Sequence, residues 1–347
     1  MMRPRGCRHV ETENRPTVAL FLGAGFSKSW GLPLASEIMS LESVQTKMFP
    51  GRWQRTLLNE IQTLWEKTTD QHKGVIDNFA RLLHGSDSFQ KFVSFLALRL
   101  SSEHWHVGTA RETKWGTGDH VRRQKSIPSQ YSHFLDAFRD TQVLGIVTTN
   151  YDIVIEKLLG PRSSGRLSGF NYGISEEPLL GRHAVSSQWT YGPITTTGKV
   201  PLLKLHGSLN WALSAKGEIE KYIDCRPSRG QRYDALLLPP AGSAMLQRLR
   251  PTWDRALEIL SNSEVWVFCG YSLPDYDIAV RDLLAKGASG VVSKVCVCDL
   301  NPASVREKLS ALLGELNRSV RIEDGPGITE NFDMQDVRKL SQLFVAA

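Results

Sequence analysis

Apolar positions along the chain fall into two rhythms. The first is an unbroken run, Thr17-Val-Ala-Leu-Phe-Leu22, closed by Gly23-Ala-Gly25. A run with no polar alternation predicts a strand covered on both faces, as in a parallel sheet. Residues 142–147, 200–205, 264–269 and 291–298 repeat this pattern, and 236–239 form a shorter instance. The second rhythm is a three- and four-residue spacing that predicts amphipathic helices. It holds for Leu57, Leu58, Ile61, Leu64 and Trp65, and again for Phe89, Phe92, Val93, Phe95, Leu96 and Leu100. Residues 34–105 therefore read as mostly helical, with further helices at 131–138 and 153–159. Residues 106–126, rich in glycine and charge, read as an exposed loop. Residues 160–200, rich in Gly, Ser, Thr and Pro, read as irregular or short antiparallel structure.

Strand followed by helix, repeated, predicts a doubly wound, mostly parallel Rossmann-like α/β sheet. The expected organisation is a flexible N-terminal extension over 1–16 and one α/β domain over 17–347, with a helical insertion at about 34–140. A two-domain split is the alternative. No internal repeat or low-complexity tract interrupts the pattern.

Composition narrows the picture. At 347 residues and 41% apolar, with nine Trp and thirteen Phe, the chain can bury a large core. The formal charge of +6 is a mild excess. Its densest basic stretch, Arg122-Arg-Gln-Lys125, is short and reads better as a solvated loop than as a nucleic-acid site. The five cysteines include no CxxC pair, so no zinc ribbon and no metal site is expected. Cys296 and Cys298 alternate inside an apolar run and read as small hydrophobes on one face of a buried strand. No apolar segment is long enough to span a membrane, and the polar, Arg-rich beginning is unlike a secretory signal. A cytoplasmic location is expected.

Polar and glycine residues recur where the apolar runs end, and in open α/β sheets that edge binds ligands. Gly23-Ala24-Gly25-Phe26-Ser27 follows the first run, with Trp30-Gly31-Leu32-Pro33 after it. Glycines there let backbone amides approach a pyrophosphate, though a plain tight turn explains them equally well, and GxGxxG is absent. Thr148-Thr149-Asn150-Tyr151-Asp152 ends the second. Its Asn and Asp suit helix capping, while a functional reading gives Asn150 a ribose hydroxyl or a water to hold. Lys204-Leu205-His206-Gly207-Ser208 ends the third. An imidazole there is placed for acid–base work or for a structural hydrogen bond. Gly270-Tyr271-Ser272-Leu273-Pro274-Asp275-Tyr276-Asp277 ends the fourth, with Ser272 offered to phosphate or ribose, or else a loop whose Asp275 caps the next helix. Asp299-Leu300-Asn301-Pro302 ends the fifth, where an acid suits ribose hydroxyls or a simple turn.

Taken together and in order, these strings resemble the sirtuin superfamily. More closely they look like its bacterial antiphage-defence branch of NAD hydrolases, whose hallmarks are GAGxS with a downstream GxP, TTNYD, LHGS and GYSLPDxD. The resemblance spans residues 17–302. It implies NAD as substrate and no metal. It implies Asn150 and His206 as the catalytic pair, and pyrophosphate held by Gly23, Ala24, Gly25 and Ser27. Asp152 would meet the nicotinamide carboxamide, Gly270 and Ser272 phosphate or ribose, and Asp299 or Asn301 the adenosine ribose. The chain departs from protein-deacetylating sirtuins in lacking a four-Cys zinc ribbon, and in following Pro33 with Leu34-Ala35-Ser36 where they carry Asp-Phe-Arg.

What the resemblance implies is an NAD glycohydrolase yielding nicotinamide and ADP-ribose. It also implies gating, by homo-oligomer formation or by a separate partner such as a HerA-type ATPase or a short Argonaute. The chain has no GxxxxGK[ST] of its own, so any ATPase would be another chain. An NAD-dependent protein deacylase and a silent NAD or ADP-ribose sensor are the alternatives.

Overall fold

The computed structural model describes residues 15–39, 52–68, 76–102, 105–107, 122–124, 129–159, 170–172, 200–213, 219–221, 235–237, 243–314, 320–329 and 331–345. The first apolar run forms β1 (Thr17–Leu22). It leads through α1 (Ala24–Lys28) and α2 (Ala35–Ile38) to three longer helices, α3 (Arg52–Glu66), α4 (Ile76–Leu83) and α5 (Asp87–Ser102). A short antiparallel pair, β2 (Trp105–Val107) and β3 (Arg122–Gln124), precedes α6 (Ser129–Asp136). Then come β4 (Gln142–Thr148), α7 (Val154–Leu158), β5 (Phe170–Asn171) and β6 (Val200–Lys204). The strands β7 (Gly207–Leu213), β8 (Ile219–Lys221) and β9 (Ala235–Leu237) follow. The remainder is α8 (Ser243–Ser261), β10 (Val265–Cys269), α9 (Ile278–Gly287), β11 (Lys294–Cys298), α10 (Pro302–Gly314), β12 (Arg321–Gly325) and α11 (Met334–Val345).

Seven of these strands make one sheet in the order β12-β11-β10-β1-β4-β6-β5, and every neighbouring pair in it is parallel. From β1 the chain winds outward through β4 to β6 and β5, then crosses over to build β10, β11 and β12 on the other side. The winding reverses between β1 and β10, and that switch point opens a crevice beyond the carboxyl ends of the strands.

Alternation along each strand divides the core in two. Val18, Leu20, Leu22, Val265, Val267, Cys296 and Cys298 face α3 to α7 and α11. Ala19, Phe21, Trp266, Phe268, Val295 and Val297 face α8, α9 and α10. Both faces are covered, which is why the strands read as apolar runs.

Several elements depart from expectation. The supposed loop at 106–126 contributes β2 and β3; what joins them lies outside the described residues. In 160–200 the described residues form β5, which pairs in parallel with β6, not antiparallel. Residues 207–213 are a strand, antiparallel to β8 and β9. The run at 291–298 starts its strand only at Lys294, because the amide of Val291 turns back to Ser261 O (3.0 Å). The strand β12, Arg-Ile-Glu-Asp-Gly, has no apolar run and was missed; it lies at the sheet edge, where one side needs no burial. The proposed extension falls, for residues 1–14, outside the described residues. Pro16 is already engaged, its carbonyl accepting from Gln142 N at 3.0 Å.

Candidate active site

The ends of β1, β4, β10 and β11 and the turn after β6 open on one cavity of about 520 Å³. Ala24, Gly25, Ser27, Asn150, Asp152, His206, Gly270, Ser272, Asp299 and Asn301 all line it. Gly23 does not. It lies behind the wall, where its amide donates to Cys269 O (3.0 Å) and its carbonyl receives Asn150 Nδ2 (2.8 Å).

The glycines have a packing reason to be there. Gly25 N donates to Gly270 O at 2.8 Å, so the turns after β1 and β10 touch backbone to backbone. A Cβ on Gly23 would come within 2.6 Å of Tyr271 Cα, and one on Gly25 within 2.8 Å of Gly270 Cα. Gly270 itself has φ +60°, and a Cβ there would meet Phe26 N at 2.2 Å. The amides of Gly23 and Gly25, expected to face a pyrophosphate, are spent on the neighbouring turn. Among the turn residues selected from sequence, Ala24, Gly25 and Ser27 remain on the cavity wall.

Asn150 is 5% exposed. Its amide nitrogen bridges Gly23 O (2.8 Å) and Ser27 Oγ (3.2 Å), and its main-chain amide is received by Thr148 Oγ1 (3.0 Å). Thr148 Oγ1 in turn donates to Leu22 O (2.7 Å), so the ends of β1 and β4 are fastened through these side chains. Asp152 Oδ1 receives Val154 N at 2.9 Å, which starts α7. A local turn ahead of α7 and cavity lining thus coexist in one side chain. Asp299 behaves similarly, its Oδ1 receiving Asn301 N at 2.9 Å ahead of α10.

His206 is buried at the turn after β6, its ring near those of Tyr151 and Trp253, each with centroids 6.3 Å away. Its Nε2 lies 3.7 Å from Asp277 Oδ1. Asp275 does not cap α9 as expected; it pairs with Arg281 at 3.1 Å, while Asp277 takes the cap position. The Lys308 ammonium of α10 holds the loop by donating to Ser272 O (3.2 Å) and Leu273 O (3.3 Å).

The opposite wall is apolar. Leu32, Ile38, Ile76, Phe92, Leu96 and Leu100 face the cavity from the turn after α1 and from α2, α4 and α5. Cys269 and Cys298 also reach it, but burial pushes both thiols well above their usual range, so neither offers a thiolate. Among the described residues no group of three or more His, Cys, Asp or Glu side chains could hold a metal ion, and no helix is long and apolar enough to cross a membrane.

Behind the cavity runs a buried polar chain. Lys204, fully buried, donates to the Asp152 carbonyl and pairs with Glu156 Oε1 (2.8 Å). Tyr172 donates to the same oxygen (3.0 Å) and receives Asn210 Nδ2 (2.9 Å), whose Oδ1 receives Ser208 Oγ (2.6 Å). Burial pushes the Glu156 carboxyl above its usual range, against the opposing pull of Lys204. A carboxyl raised in the folded state supports stability below its unfolded pKa and loses that support as pH rises through the folded value. Lys204→Met removes the opposing ammonium. It is expected to cost about 3–5 kcal/mol near neutrality. The cost should shrink towards acidic pH, where the carboxyl takes a proton. Urea unfolding of both proteins at two pH values checks this; a penalty equal at both would contradict it.

No family model matches the chain, and no curated protein matches it. Among solved structures, similarity is found to one from work on the mechanism and regulation of Sir2 enzymes, at 13% identity and TM-score 0.43, covering 95% of this chain and 94% of that one. A Sir2 homologue mutant in complex with ADP ribose gives 12% and 0.41, covering 96% and 95%. Sir2Tm bound to a propionylated peptide gives 11% and 0.37, covering 95% and 93%. What the site can do follows from the cavity itself.

Some of that site was not singled out in the sequence. Tyr151 and Asp277 stand inside the quoted strings, yet no role was attached to them; a second acid at the start of α9 was the available signal for Asp277. Trp253 and most of the apolar wall come from helices distant in sequence; the spacing marks Phe92, Leu96 and Leu100 as one helix face, not as a cavity wall.

Proposed function

We propose that the cavity binds NAD and hydrolyses its nicotinamide–ribose bond. The observation that carries this reading is that Asn150 and His206, both buried, line one cavity at the switch point of a parallel sheet. Its volume lies in the range of small-molecule and cofactor sites. In the proposed reaction the C1′–N1 bond breaks and its electron pair passes to the pyridinium nitrogen, which leaves as neutral nicotinamide. Water oxygen bonds to C1′ and releases one proton. The leaving group is already cationic and needs no acid. The protein's task is to orient the ribose, position one water and exclude the rest. Asn150, its nitrogen committed to Gly23 and Ser27, would present its carbonyl to a ribose hydroxyl or that water. His206 would take the proton or bond a ribose hydroxyl. Ala24, Ser27 and Ser272 would meet the phosphates, and Asp299 or Asn301 the adenosine ribose.

The test is direct: purified chain, NAD, and chromatography of the products. Nicotinamide and ADP-ribose are expected in equal amounts. NAD left intact by a folded protein at every protein concentration would count against the reading.

One observation favours a second reading. The apolar wall of α2, α4 and α5 has the chemistry to take an aliphatic acyl group, as a protein deacylase requires. Acetylated peptide with NAD would then yield O-acetyl-ADP-ribose. Under the first reading the protein is an NAD-depleting effector of bacterial antiphage defence, held in check by self-assembly or by a HerA-type ATPase or short Argonaute. Trp53 and Leu82, exposed on α3 and α4, are where such contacts could be broken.

A further inference from the structure

We infer that Asp277 is a positioning residue for His206, setting which imidazole nitrogen faces the cavity. The inference rests on the hydrolase reading for its kinetic consequence, though not for its structural one. Asp277 sits at the cap of α9, yet its carboxylate makes no cap hydrogen bond. It is 2% exposed and turned inward onto the cavity wall. One oxygen, Oδ2, receives the Tyr271 hydroxyl at 2.9 Å. The other, Oδ1, is buried with no hydrogen-bond donor among the described residues, and lies 3.7 Å from His206 Nε2. A buried carboxylate oxygen without a donor is costly. The nearby group able to relieve it is the imidazole.

The rings of Tyr151 and Trp253 lie near His206, and Trp253 is fixed by its indole N–H donating to Leu205 O (3.0 Å). A small closure on substrate binding would bring Nε2–H to Oδ1, as catalytic hydrogen bonds often tighten only in the complex. With Nε2 holding the proton towards Asp277, the Nδ1 lone pair is left for the cavity. An acceptor on one nitrogen that fixes the tautomer at the other is the logic of a carboxylate-oriented histidine. Tyr271 completes the set by steering the carboxylate.

The test combines kinetics with histidine-selective ¹⁵N NMR on the full chain. Asp277→Asn replaces the acceptor with a group that can donate, inverting the tautomer preference. It is expected to lower kcat by about 10²–10⁴-fold, with KM for NAD little changed. In a His206→Ala background Asp277→Asn should cause no further loss, because its effect passes through the imidazole. In the NMR spectrum Nε2 carries the proton in the parent protein and loses that preference in Asp277→Asn. Parent-like turnover in Asp277→Asn would overturn the inference. So would a loss that persists in full on top of His206→Ala, or an unchanged tautomer. If the parent chain releases no nicotinamide, the hydrolase reading fails and the NMR comparison alone decides the role of Asp277. If Asp277→Asn does not fold, Tyr271→Phe keeps the carboxylate and removes only its steering phenol. A weakened tautomer preference in that variant supports the inference, and an unchanged one overturns it.

Discussion

His206→Ala is expected to lower NAD hydrolysis by roughly 10²–10⁴-fold, the usual contribution of a positioned acid or base, while the protein remains folded. The reason lies in its surroundings. His206 lies near two aromatic rings at the end of β6, with the Asp277 carboxylate 3.7 Å away. Truncating it unfastens no backbone. Asn150→Ala is expected to lose turnover as well, but not cleanly. Its amide nitrogen secures Gly23 O and Ser27 Oγ, so the variant loses two buried hydrogen bonds, at a cost of about 0.5–1.5 kcal/mol each, while Gly23 O keeps the Phe26 amide at 3.0 Å. The pair therefore separates chemistry from architecture. Product chromatography and thermal unfolding, run on both variants, should show equal losses of activity with a lowered melting temperature only for Asn150→Ala. A folded His206→Ala protein turning over at the parent rate would remove His206 from the reaction.

Gly270→Ala should be strongly destabilising. The added carbon would meet Phe26 N at 2.2 Å and Gly25 C at 2.4 Å, and both are main chain, with no flexible side chain to swing aside. The backbone there has φ +60°, which alanine adopts only with strain. Strain and clash together place the cost on the order of 4–5 kcal/mol, the exceptional end of single-residue effects. Chemical denaturation measures it directly. A contrasting substitution is Gly314→Ala at the end of α10, where none of the described residues lies within 4 Å of the new carbon. That variant should unfold close to the parent midpoint, and equal destabilisation of both would mean that the contact between the two turns is not what makes Gly270 necessary.

The sheet was legible because its strands are buried on both faces and end in polar punctuation. The runs at 17–22 and 142–147 became β1 and β4 almost residue for residue. β12 was not legible, since an edge strand needs apolar side chains on neither full face, and Arg321-Ile-Glu-Asp-Gly325 looks like a charged turn. The site was legible as a set of strand ends, which the parallel sheet gathers on one edge. What each residue does there was not. The glycines of the first turn looked like phosphate-binding amides, and their amides prove to be bonded to the turn after β10. Asp277 drew no role beside Asp275, and its partners are Tyr271, six residues earlier in the same loop, and His206, in the turn after β6. Side-chain roles of this kind depend on which turns the sheet brings together, and spacing along the chain does not encode that.

The backbone contact between the turns after β1 and β10 also limits how the protein can be switched. Gly23, Gly25 and Gly270 rivet the two halves of the sheet across the floor of the cavity, with hydrogen bonds of 3.0 and 2.8 Å and no side chain between them. That floor has no slack for a hinge. Any partner that turns the cavity on or off must work from its roof, by shifting α2, α4 and α5, whose contribution is a set of apolar side chains able to slide past a bound molecule.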